Sequence, residues 1–380
     1  MLDRHSCNYY YLIINEDINS GLIMSQVVTP LTCLKYKDKL KIININKFFR
    51  KVNKYDIPVI NIPIAIPARL FLFNFFFLCT PLIAFFYSII LVFFLKTNSV
   101  VIARSYFATL VSFFISKIKN IEFIFDSRSL FIDENILSGN IKKGSLNYKM
   151  WRYFEIVFLK NAQKVIAVSL KQKEFYKSRF KNSVIEIIPC YLTAPIIYEK
   201  DKIKHIKQTI GFRNDDIVVC YYGSLDNGWN NIDMYCEVFN ELINSSYKIL
   251  IISQNYNLLK SDRRLKHNSI YLLDTKKLNK NQLFLYMQIC DYGIVLMKKS
   301  ADWETRLSVK FIDYLNNGLQ VIVGKYVGEA VRYSKEFFSH RCIIYEDSKS
   351  IDGLKFKSKY NDKKLLNSLF GIENINRILD

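Results

Sequence analysis

Histidine is scarce in this chain. Its 380 residues include only four histidines, His5, His205, His267 and His340, and none of them is near another in the sequence. A metal centre built on histidine needs several such ligands, and a nucleophilic serine needs a histidine base. The sequence therefore gives poor support to both kinds of chemistry.

Cysteine pairing is missing as well. The eight cysteines are scattered and show no Cys-x-x-Cys spacing, and several lie in apolar runs, as Cys220 does between Val219 and Tyr221. Such cysteines are typical of small core residues, which argues against a disulfide scaffold or a zinc site. A signal peptide is not evident either, because Asp3 and Arg4 are followed by the polar Asn8 and then by a short strand-like run. We expect the protein to stay in the cytosol.

Negative charge is in short supply. The chain has 34 acidic against 54 basic residues, which gives a net charge of +20. Such an excess indicates an anionic partner, which is nucleic acid, acidic lipid or a phosphorylated substrate. The lysines are dispersed and no nucleic-acid-binding motif is present, so we do not expect nucleic acid. A composition bias of the genome explains the lysine content equally well.

One long apolar run is present, from Leu70 to Leu95. It contains no charged residue, is flanked by Arg69 and Lys96, and is interrupted by Pro81. Its length fits a transmembrane helix. Strand-like runs lie on both sides, however, and a single crossing would separate the parts of one sheet. We interpret the run as a helical segment, broken near Pro81, that dips into one leaflet or packs on the sheet. A single-pass anchor is the alternative.

Basic residues near this run favour attachment to a membrane surface. Each lysine or arginine is worth about 1 kcal/mol near anionic lipid, although any one of them alone is also explained as a solvated side chain. We therefore predict peripheral or monotopic attachment at the cytoplasmic face of the inner (plasma) membrane. The residues concerned are Lys47, Arg50, Lys51, Lys54, Lys117, Lys119, Lys142 and Lys143.

Strand-like and helix-like runs alternate along both halves of the chain. This alternation predicts a doubly wound parallel sheet in each half, with ligands beyond the carboxyl ends of the strands. We place the first domain at residues 1–198, the second at 199–355, and a C-terminal helical segment that returns to the first domain at 356–380. The predicted strands are residues 9–14, 40–43, 59–62, 100–103, 123–125, 164–168, 217–222, 247–252, 269–273, 292–296 and 319–323.

The segment 306–323 carries the clearest site pattern. Ser308 is a good helix N-cap, and Gly318 ends the helix before a buried strand. A helix N-terminus with Lys310 in its first turn suits a diphosphate, and Asp313, one turn later, could accept hydrogen bonds from ribose hydroxyls. A surface ion pair between Lys310 and Asp313, worth a few tenths of a kcal/mol, is the alternative.

This segment resembles the donor-binding signature of glycosyltransferase family 4, in which a Ser-Pro-x-Lys-like turn leads to Glu-Tyr-Leu-Ala-x-Gly-x-Pro-Val-Ile. Asp313 stands where the family has its ribose-binding glutamate, and Gln320 replaces the usual proline. Many members carry a further glutamate eight residues earlier, near the transferred sugar. Thr305 occupies that position here, with Glu304 and Asp302 adjacent. Either Glu304 takes over the contact or the contact is absent.

Further segments resemble the family in the expected order. Gly223 and Ser224 follow a strand-like run as the family's glycine-rich loop does, where a glycine lets the backbone approach a phosphate. In the first half, residues 125–134 resemble the Asp-x-Arg-Gly-x-x-x-x-Glu stretch of a bacterial subset, through Asp126 and Arg128. A structural brace between Asp126 and Arg128 is the alternative.

The resemblance implies the GT-B architecture, with two Rossmann-like doubly wound parallel-sheet domains facing across a cleft. It also implies transfer of a sugar from a nucleotide-sugar donor with retention of configuration, and no metal or cofactor. We predict as acceptor a lipid-linked glycan of cell-surface polysaccharide (O-antigen or capsule) biosynthesis. The implied residues are Lys310, Arg306, Glu304, Asp126 and Arg128 for catalysis, Gly223, Ser224, Ser308, Asp313 and Thr305 for the donor, and Ser25, Gln26 and Arg104 for the acceptor.

Two other functions fit this architecture. A non-catalytic partner subunit of a membrane glycan-assembly complex would explain Thr305 at the acidic position. A sugar-nucleotide epimerase shares the fold, but it needs carboxylate and histidine pairs that we cannot place in this sequence.

Overall fold

The computed structural model describes residues 7–46, 56–63, 78–192, 198–225, 232–260, 265, 267–351 and 359–379. The chain forms two α/β units. Unit 1 contains Met1–Tyr191 and Ile372–Asp380, and unit 2 contains Leu192–Gly371. The division after Tyr191 lies close to the boundary that we placed at residue 198. A 3₁₀ helix, Ile372–Ile378, belongs to unit 1 and follows the last helix of unit 2.

The described part of unit 1 contains a seven-stranded parallel sheet in the order β3-β2-β1-β4-β5-β6-β7. Every residue of β4 is buried, as expected for a strand covered on both faces. The order of the strands reverses between β1 and β4, the kind of position at which such sheets bind ligands. The strands are β1 Asn8–Ile14, β2 Leu40–Ile45, β3 Val59–Ile62, β4 Ser99–Arg104, β5 Glu122–Asp126, β6 Lys164–Ala167 and β7 Ile185–Ile187.

Helices cover both faces of this sheet. One apolar layer lies beneath the longer helices and is rich in aromatic rings such as Tyr106, Trp151 and Phe158. The other layer includes Ile375 and Ile378 of the C-terminal 3₁₀ helix. The helices are α1 Gly21–Ile23, α2 Thr29–Leu31, α3 Thr80–Val92, α4 Ser105–Lys119, α5 Phe131–Leu137, α6 Leu146–Asn161 and α7 Leu170–Arg179, with a π-helical turn at Met24–Val28 and a 3₁₀ turn at Lys37–Lys39.

Helix α3 forms most of the described part of the long apolar run, residues 78–95, and residues 70–77 lie outside the described ranges. It begins at Thr80 and carries Pro81 in its first turn, where a missing N–H loses no helical partner. The described residues therefore show Pro81 at a helix start. Of the basic residues near the run, Lys47, Arg50, Lys51 and Lys54 also lie outside the described ranges. No helix in the described ranges combines the length and the apolar character that a membrane crossing requires.

The described part of unit 2 contains a six-stranded parallel sheet in the order β10-β9-β8-β11-β12-β13, which reverses between β8 and β11. The strands are β8 Val218–Tyr222, β9 Lys248–Ile252, β10 Ile270–Leu273, β11 Tyr292–Val295, β12 Gln320–Gly324 and β13 Cys342–Tyr345. The helices are α8 Lys200–Thr209, α9 Ile232–Asn244, α10 Asn257–Lys260, α11 Lys280–Gln288, α12 Ala301–Thr305, α13 Val309–Asn316, α14 Gly328–Glu336 and α15 Lys363–Phe370, with 3₁₀ turns at His267–Ser269, Thr275–Lys277 and Ser348–Ile351.

Helix α13 packs directly on the sheet of unit 2 at Gly293 of β11. A Cβ at Gly293 would overlap the ring of Tyr314. The Tyr314 hydroxyl accepts a hydrogen bond of 3.0 Å from the backbone N–H of Tyr222, at the end of β8. A glycine at position 293 therefore lets one buried tyrosine fix helix α13 against the end of β8.

We expect Gly293→Ala to lower the free energy of unfolding by about 2–3 kcal/mol, because the added methyl group forces Tyr314 from its place. Urea denaturation measures the change. Gly21→Ala is the matched control, since nothing lies within 4 Å of a Cβ at Gly21, and its effect should stay within about 0.5 kcal/mol. An unchanged stability of Gly293→Ala would contradict the packing described here.

Candidate functional site

The site in unit 2 lies where β8 ends and α13 begins. Gly223 follows β8 with a φ of +126°, a backbone conformation that L side chains rarely adopt. The Lys310 side chain lies against this glycine: a Cβ at Gly223 would be 2.6 Å from Cε and 2.9 Å from Nζ of Lys310. The structure thus brings together two residues that the sequence predicted for one site.

Lys310 has no carboxylate partner among the described residues. Its Nζ donates to the Tyr221 hydroxyl at 3.3 Å and lies 4.6 Å from the centroid of the Tyr221 ring. The same hydroxyl donates to the backbone oxygen of Ser224 at 2.7 Å. Burial lowers the pKa of Lys310 to about 8. A partly desolvated cation without a counter-ion is suited to an anionic ligand.

Asp313 lies one helical turn after Lys310. Its carboxylate accepts a hydrogen bond from the Tyr222 hydroxyl, and only 9% of the residue is exposed. Lys310 and Asp313 therefore bond to different tyrosines. The surface ion pair that we considered as the alternative is not formed.

The other predicted donor residues surround this turn or precede it. Ser308 is the N-cap of α13 and is 4% exposed, but its side chain makes no capping hydrogen bond. The Ser224 hydroxyl lies 3.4 Å from Oδ1 of Asn255. The Thr305 hydroxyl donates to the backbone oxygen of Asp302 at 2.9 Å, a bond internal to helix α12.

Arg306 and Glu304 differ in their surroundings. Arg306 Nη2 lies 2.9 Å from the buried carboxylate of Asp302, and its guanidinium is 4.9 Å from the centroid of the Trp303 ring. Glu304 is exposed on α12. The acidic side chain that the structure buries next to Arg306 is therefore Asp302, which we noted beside Thr305 but did not predict as a site residue.

Unit 1 holds a second polar group at the carboxyl ends of β1, β4 and β5. The Asp126 carboxylate is fully buried and accepts hydrogen bonds from the Tyr11 hydroxyl and from Arg128 Nε, the latter at 2.9 Å. Arg104 Nε donates to Glu16 at 2.9 Å. We call these five residues the Arg104–Arg128 cluster. It contains the Asp126–Arg128 brace that we considered as the alternative, and it adds Tyr11 and Glu16, which the sequence did not indicate.

The predicted acceptor residues Ser25 and Gln26 take part in local bonds. The Gln26 amide accepts from the backbone N–H of Tyr191 at 3.0 Å and donates to the backbone oxygen of Tyr191 at 3.4 Å. The Ser25 hydroxyl donates to the backbone oxygen of Leu22 at 3.2 Å. Gln26 is 2% exposed, so in this structure it positions Tyr191 next to the cluster.

The amino-acid sequence matches no protein-family model and no curated protein. Solved structures, by contrast, match almost the whole chain. They include OtsA in its apo form, with a TM-score of 0.69, 10% identity and coverage of 98% of this chain and 97% of that chain. HepE from Anabaena in complex with UDP has a TM-score of 0.67, 13% identity and coverage of 98% of both chains. A UDP-forming α,α-trehalose-phosphate synthase from Burkholderia xenovorans, in complex with glucose-6-phosphate, has a TM-score of 0.67, 10% identity and coverage of 98% of both chains.

These structures establish the fold. The chain has the GT-B fold, with two parallel-sheet α/β domains of seven and six strands in the described residues. The predicted fold class is confirmed. Identities of 10–13% show the fold alone, so the resemblance to family 4 stays a prediction.

We expect the Lys310 amine to titrate near pH 8, and Gly223→Ala to raise its pKa towards the ordinary 10.5, because a Cβ at position 223 displaces the amine into solvent. NMR of the ¹³C-dimethylated protein follows the titration, and Lys310→Arg identifies the resonance by removing it. A pKa that stays near 8 in Gly223→Ala would show that Gly223 does not hold Lys310 in its buried position.

Proposed function

We propose that this chain is a glycosyltransferase that moves a sugar from a nucleotide-sugar donor to an acceptor. The observation that carries the proposal is the Lys310 amine, which is desolvated and lacks a carboxylate partner among the described residues. Lys310 belongs to the first turn of α13, and its side chain lies against Gly223 at the end of β8. The GT-B fold supports the proposal, since HepE of that fold was solved with UDP and the Burkholderia synthase is UDP-forming.

In the proposed complex the diphosphate of the donor lies at Gly223, Ser224 and the start of α13. The helix N-terminus and the Lys310 ammonium offer positive charge there, and Gly223 allows close approach. The Ser308 hydroxyl, which makes no capping bond, is a further donor. Asp313, already oriented by the Tyr222 hydroxyl, accepts from the ribose hydroxyls. Thr305 belongs to the same donor site in the family-based assignment.

The chemistry of this site follows from where charge develops. Breaking the bond between sugar and diphosphate leaves negative charge on the leaving group, and preorganised cations stabilise that charge most where water is excluded. Lys310 supplies this stabilisation. Since its pKa is about 8, the amine is mostly protonated at pH 7, and a bound diphosphate raises the pKa further. Arg306 and Glu304 are assigned to catalysis beside Lys310. We propose that the transfer retains the configuration of the sugar and needs no metal or cofactor.

We expect Lys310→Met to reduce sugar transfer about 10²–10³-fold, in the range found when one donor to a developing anion is removed. Release of nucleoside diphosphate from a panel of nucleotide sugars measures turnover, and calorimetry measures the affinity for the nucleoside diphosphate. Lys335→Met, at an exposed position of α14, is the matched control. Near-normal turnover by folded Lys310→Met would refute the assignment.

We further propose that the acceptor is a lipid-linked glycan of O-antigen or capsule biosynthesis, and that the protein works at the cytoplasmic face of the membrane. The support is an apolar surface formed by α3 and the residue that follows it, which we call the α3 apolar face and define by Leu82, Phe85, Phe86, Ile89 and Phe93. Among these residues Leu82 is 71% exposed and Phe93 83% exposed. Large exposed side chains grouped on one helix are typical of an interaction surface.

Basic residues lie beside the α3 apolar face. Lys96 and Lys117 are exposed, and Lys119 donates to the backbone oxygens of Val92 and Leu95 at the end of α3. A helix with an apolar outer face and neighbouring lysines is suited to the interface of an anionic bilayer. Such attachment would hold the enzyme next to a lipid-linked acceptor.

We expect Leu82→Ser, Phe86→Ser and Phe93→Ser together to weaken binding to vesicles of phosphatidylglycerol and phosphatidylethanolamine more than 10-fold, because the apolar area that enters the bilayer is lost. Sedimentation with vesicles measures the binding. The matched control replaces three exposed apolar residues elsewhere, Leu22, Val184 and Leu258, by serine. Equal sedimentation of the two triple variants would count against the α3 apolar face as a membrane contact.

A non-catalytic partner subunit remains the second candidate, because Thr305 stands at the acidic position of the family and its hydroxyl is bonded to Asp302. Such a subunit would bind the nucleotide sugar through Lys310 but would show no turnover with any donor. The epimerase is the weaker alternative, since no histidine belongs to either described polar group: Asp126 bonds to Tyr11 and Arg128, and Asp302 to Arg306.

A further inference from the structure

Several buried hydrogen-bond donors in the Arg104–Arg128 cluster, and one donor beside it, make no hydrogen bond. Within the described residues Nη1 of Arg104, both Nη atoms of Arg128 and the Tyr191 hydroxyl lack a hydrogen-bond partner. Arg104 is 6% exposed and Tyr191 1% exposed. Leaving a buried polar group unsatisfied costs about 1–3 kcal/mol, and more when the group is charged. Four unused donors in one place therefore require an explanation.

The two arginines use the same part of the guanidinium for their internal bonds. Arg104 reaches Glu16 through Nε, and Arg128 reaches Asp126 through Nε, each at 2.9 Å. The Asp126–Arg128 brace therefore accounts for one N–H of Arg128 and leaves its Nη pair unused. Two adjacent guanidinium N–H groups match the two oxygens of a carboxylate or phosphate.

The cluster holds both arginines in a fixed place. Arg128 has a φ of +56°, a strained conformation for a residue with a side chain, and such strain is concentrated at functional sites. The bond from the Tyr11 hydroxyl to Asp126 and the bond from the Tyr191 backbone N–H to the Gln26 amide oxygen hold the surrounding groups in place. Side chains that are fixed before a ligand arrives lose little entropy on binding.

The two guanidinium groups lie within electrostatic reach of each other. Burial and the charge of Arg128 lower the pKa of Arg104, and Glu16, Tyr11 and Asp126 together raise it above its ordinary value. Burial raises the pKa of the Tyr191 hydroxyl, and the charge of Arg128 opposes that rise. The side chain of Arg128 is 12% exposed and that of Glu16 32% exposed, so the cluster reaches the surface of unit 1.

We propose that the Nη groups of Arg104 and Arg128, with the Tyr191 hydroxyl, bind an oxyanion of the acceptor, so that the acceptor carries a carboxylate or a phosphate. This inference rests on the proposed function, in which unit 2 takes the donor diphosphate at Lys310 and unit 1 takes the acceptor. Glu16 and Asp126 balance the charge of the two arginines. Recognition therefore depends on the geometry of the N–H groups, which a neutral sugar hydroxyl satisfies poorly.

The test compares three probes on the full chain: D-glucose, D-glucuronate and glucose 6-phosphate. NMR titration measures their dissociation constants. We expect at least one anionic probe to bind 10-fold or more tightly than glucose. Tighter binding of glucuronate identifies a carboxylate on the acceptor, and tighter binding of glucose 6-phosphate identifies a phosphate.

Arg128→Lys keeps the positive charge and the partner of Asp126 but loses the Nη pair. We expect this variant to lose at least 10-fold of the preference for the anionic probe, and Arg104→Lys to lose part of it. Arg152→Lys is the matched control: Arg152 is a largely buried arginine of unit 1, paired with Asp133 at 2.7 Å and Glu155 at 3.1 Å. It should keep the preference, and unchanged melting temperatures show that the variants are folded.

Equal affinity for the three probes in the unaltered protein would overturn the proposal, as would equal losses in Arg128→Lys and Arg152→Lys. Binding of a nucleoside diphosphate to the same preparations separates this failure from failure of the proposed function. If the diphosphate binds through Lys310 and the anionic probes show no preference, only the acceptor inference is wrong. If no nucleoside diphosphate binds, the assignment of the oxyanion to an acceptor falls with the proposed function.

Discussion

The contact between Lys310 and Gly223 is the constraint on which the site of unit 2 depends. A desolvated amine without a carboxylate partner is unfavourable by itself, as its lowered pKa shows. Packing elsewhere keeps it in place, because Tyr314 fills the space above Gly293 and bonds to the end of β8. Gly293 and Gly223 thus allow helix α13 to approach the sheet and to hold its first turn over the end of β8. The free energy of that packing offsets the cost of keeping the Lys310 amine desolvated.

Much of the fold could be predicted from the sequence, because buried parallel strands are short apolar runs separated by helices. Each of the eleven predicted runs overlaps a strand of the structure. The runs that we missed are β7, Ile185–Ile187, and β13, Cys342–Tyr345, which are short edge strands with several partly exposed residues. β7 is only three residues long with Glu186 at its centre, so it carries little apolar signal, whereas β13 is a short run of four apolar residues that we did not predict.

Only those residues of the candidate site that belong to a local sequence pattern could be predicted. Gly223, Lys310 and Asp313 stood out because a strand end and a helix start have their own residue preferences. Their partners Tyr221 and Tyr222 did not, since an aromatic residue in a strand is expected in any core. The internal partner of Gln26 was not predictable either: Gln26 was named for its place after the first strand, and its amide bonds to the main chain of Tyr191. Such pairings join positions far apart in the chain, and no local pattern encodes them.

The two units place their polar groups at equivalent positions, yet the charges differ in kind. Each group lies at the carboxyl ends of strands beside the point where the strand order reverses, between β1 and β4 and between β8 and β11. In unit 2 the Lys310 amine has no carboxylate partner among the described residues, so the proposed attraction for a diphosphate is electrostatic and weakens with salt. In unit 1 two carboxylates balance two guanidinium groups, so the selectivity proposed there comes from the directions of the free N–H groups. A transferase needs this division, because donors share one diphosphate chemistry whereas acceptors must be distinguished from one another by shape and hydrogen bonding.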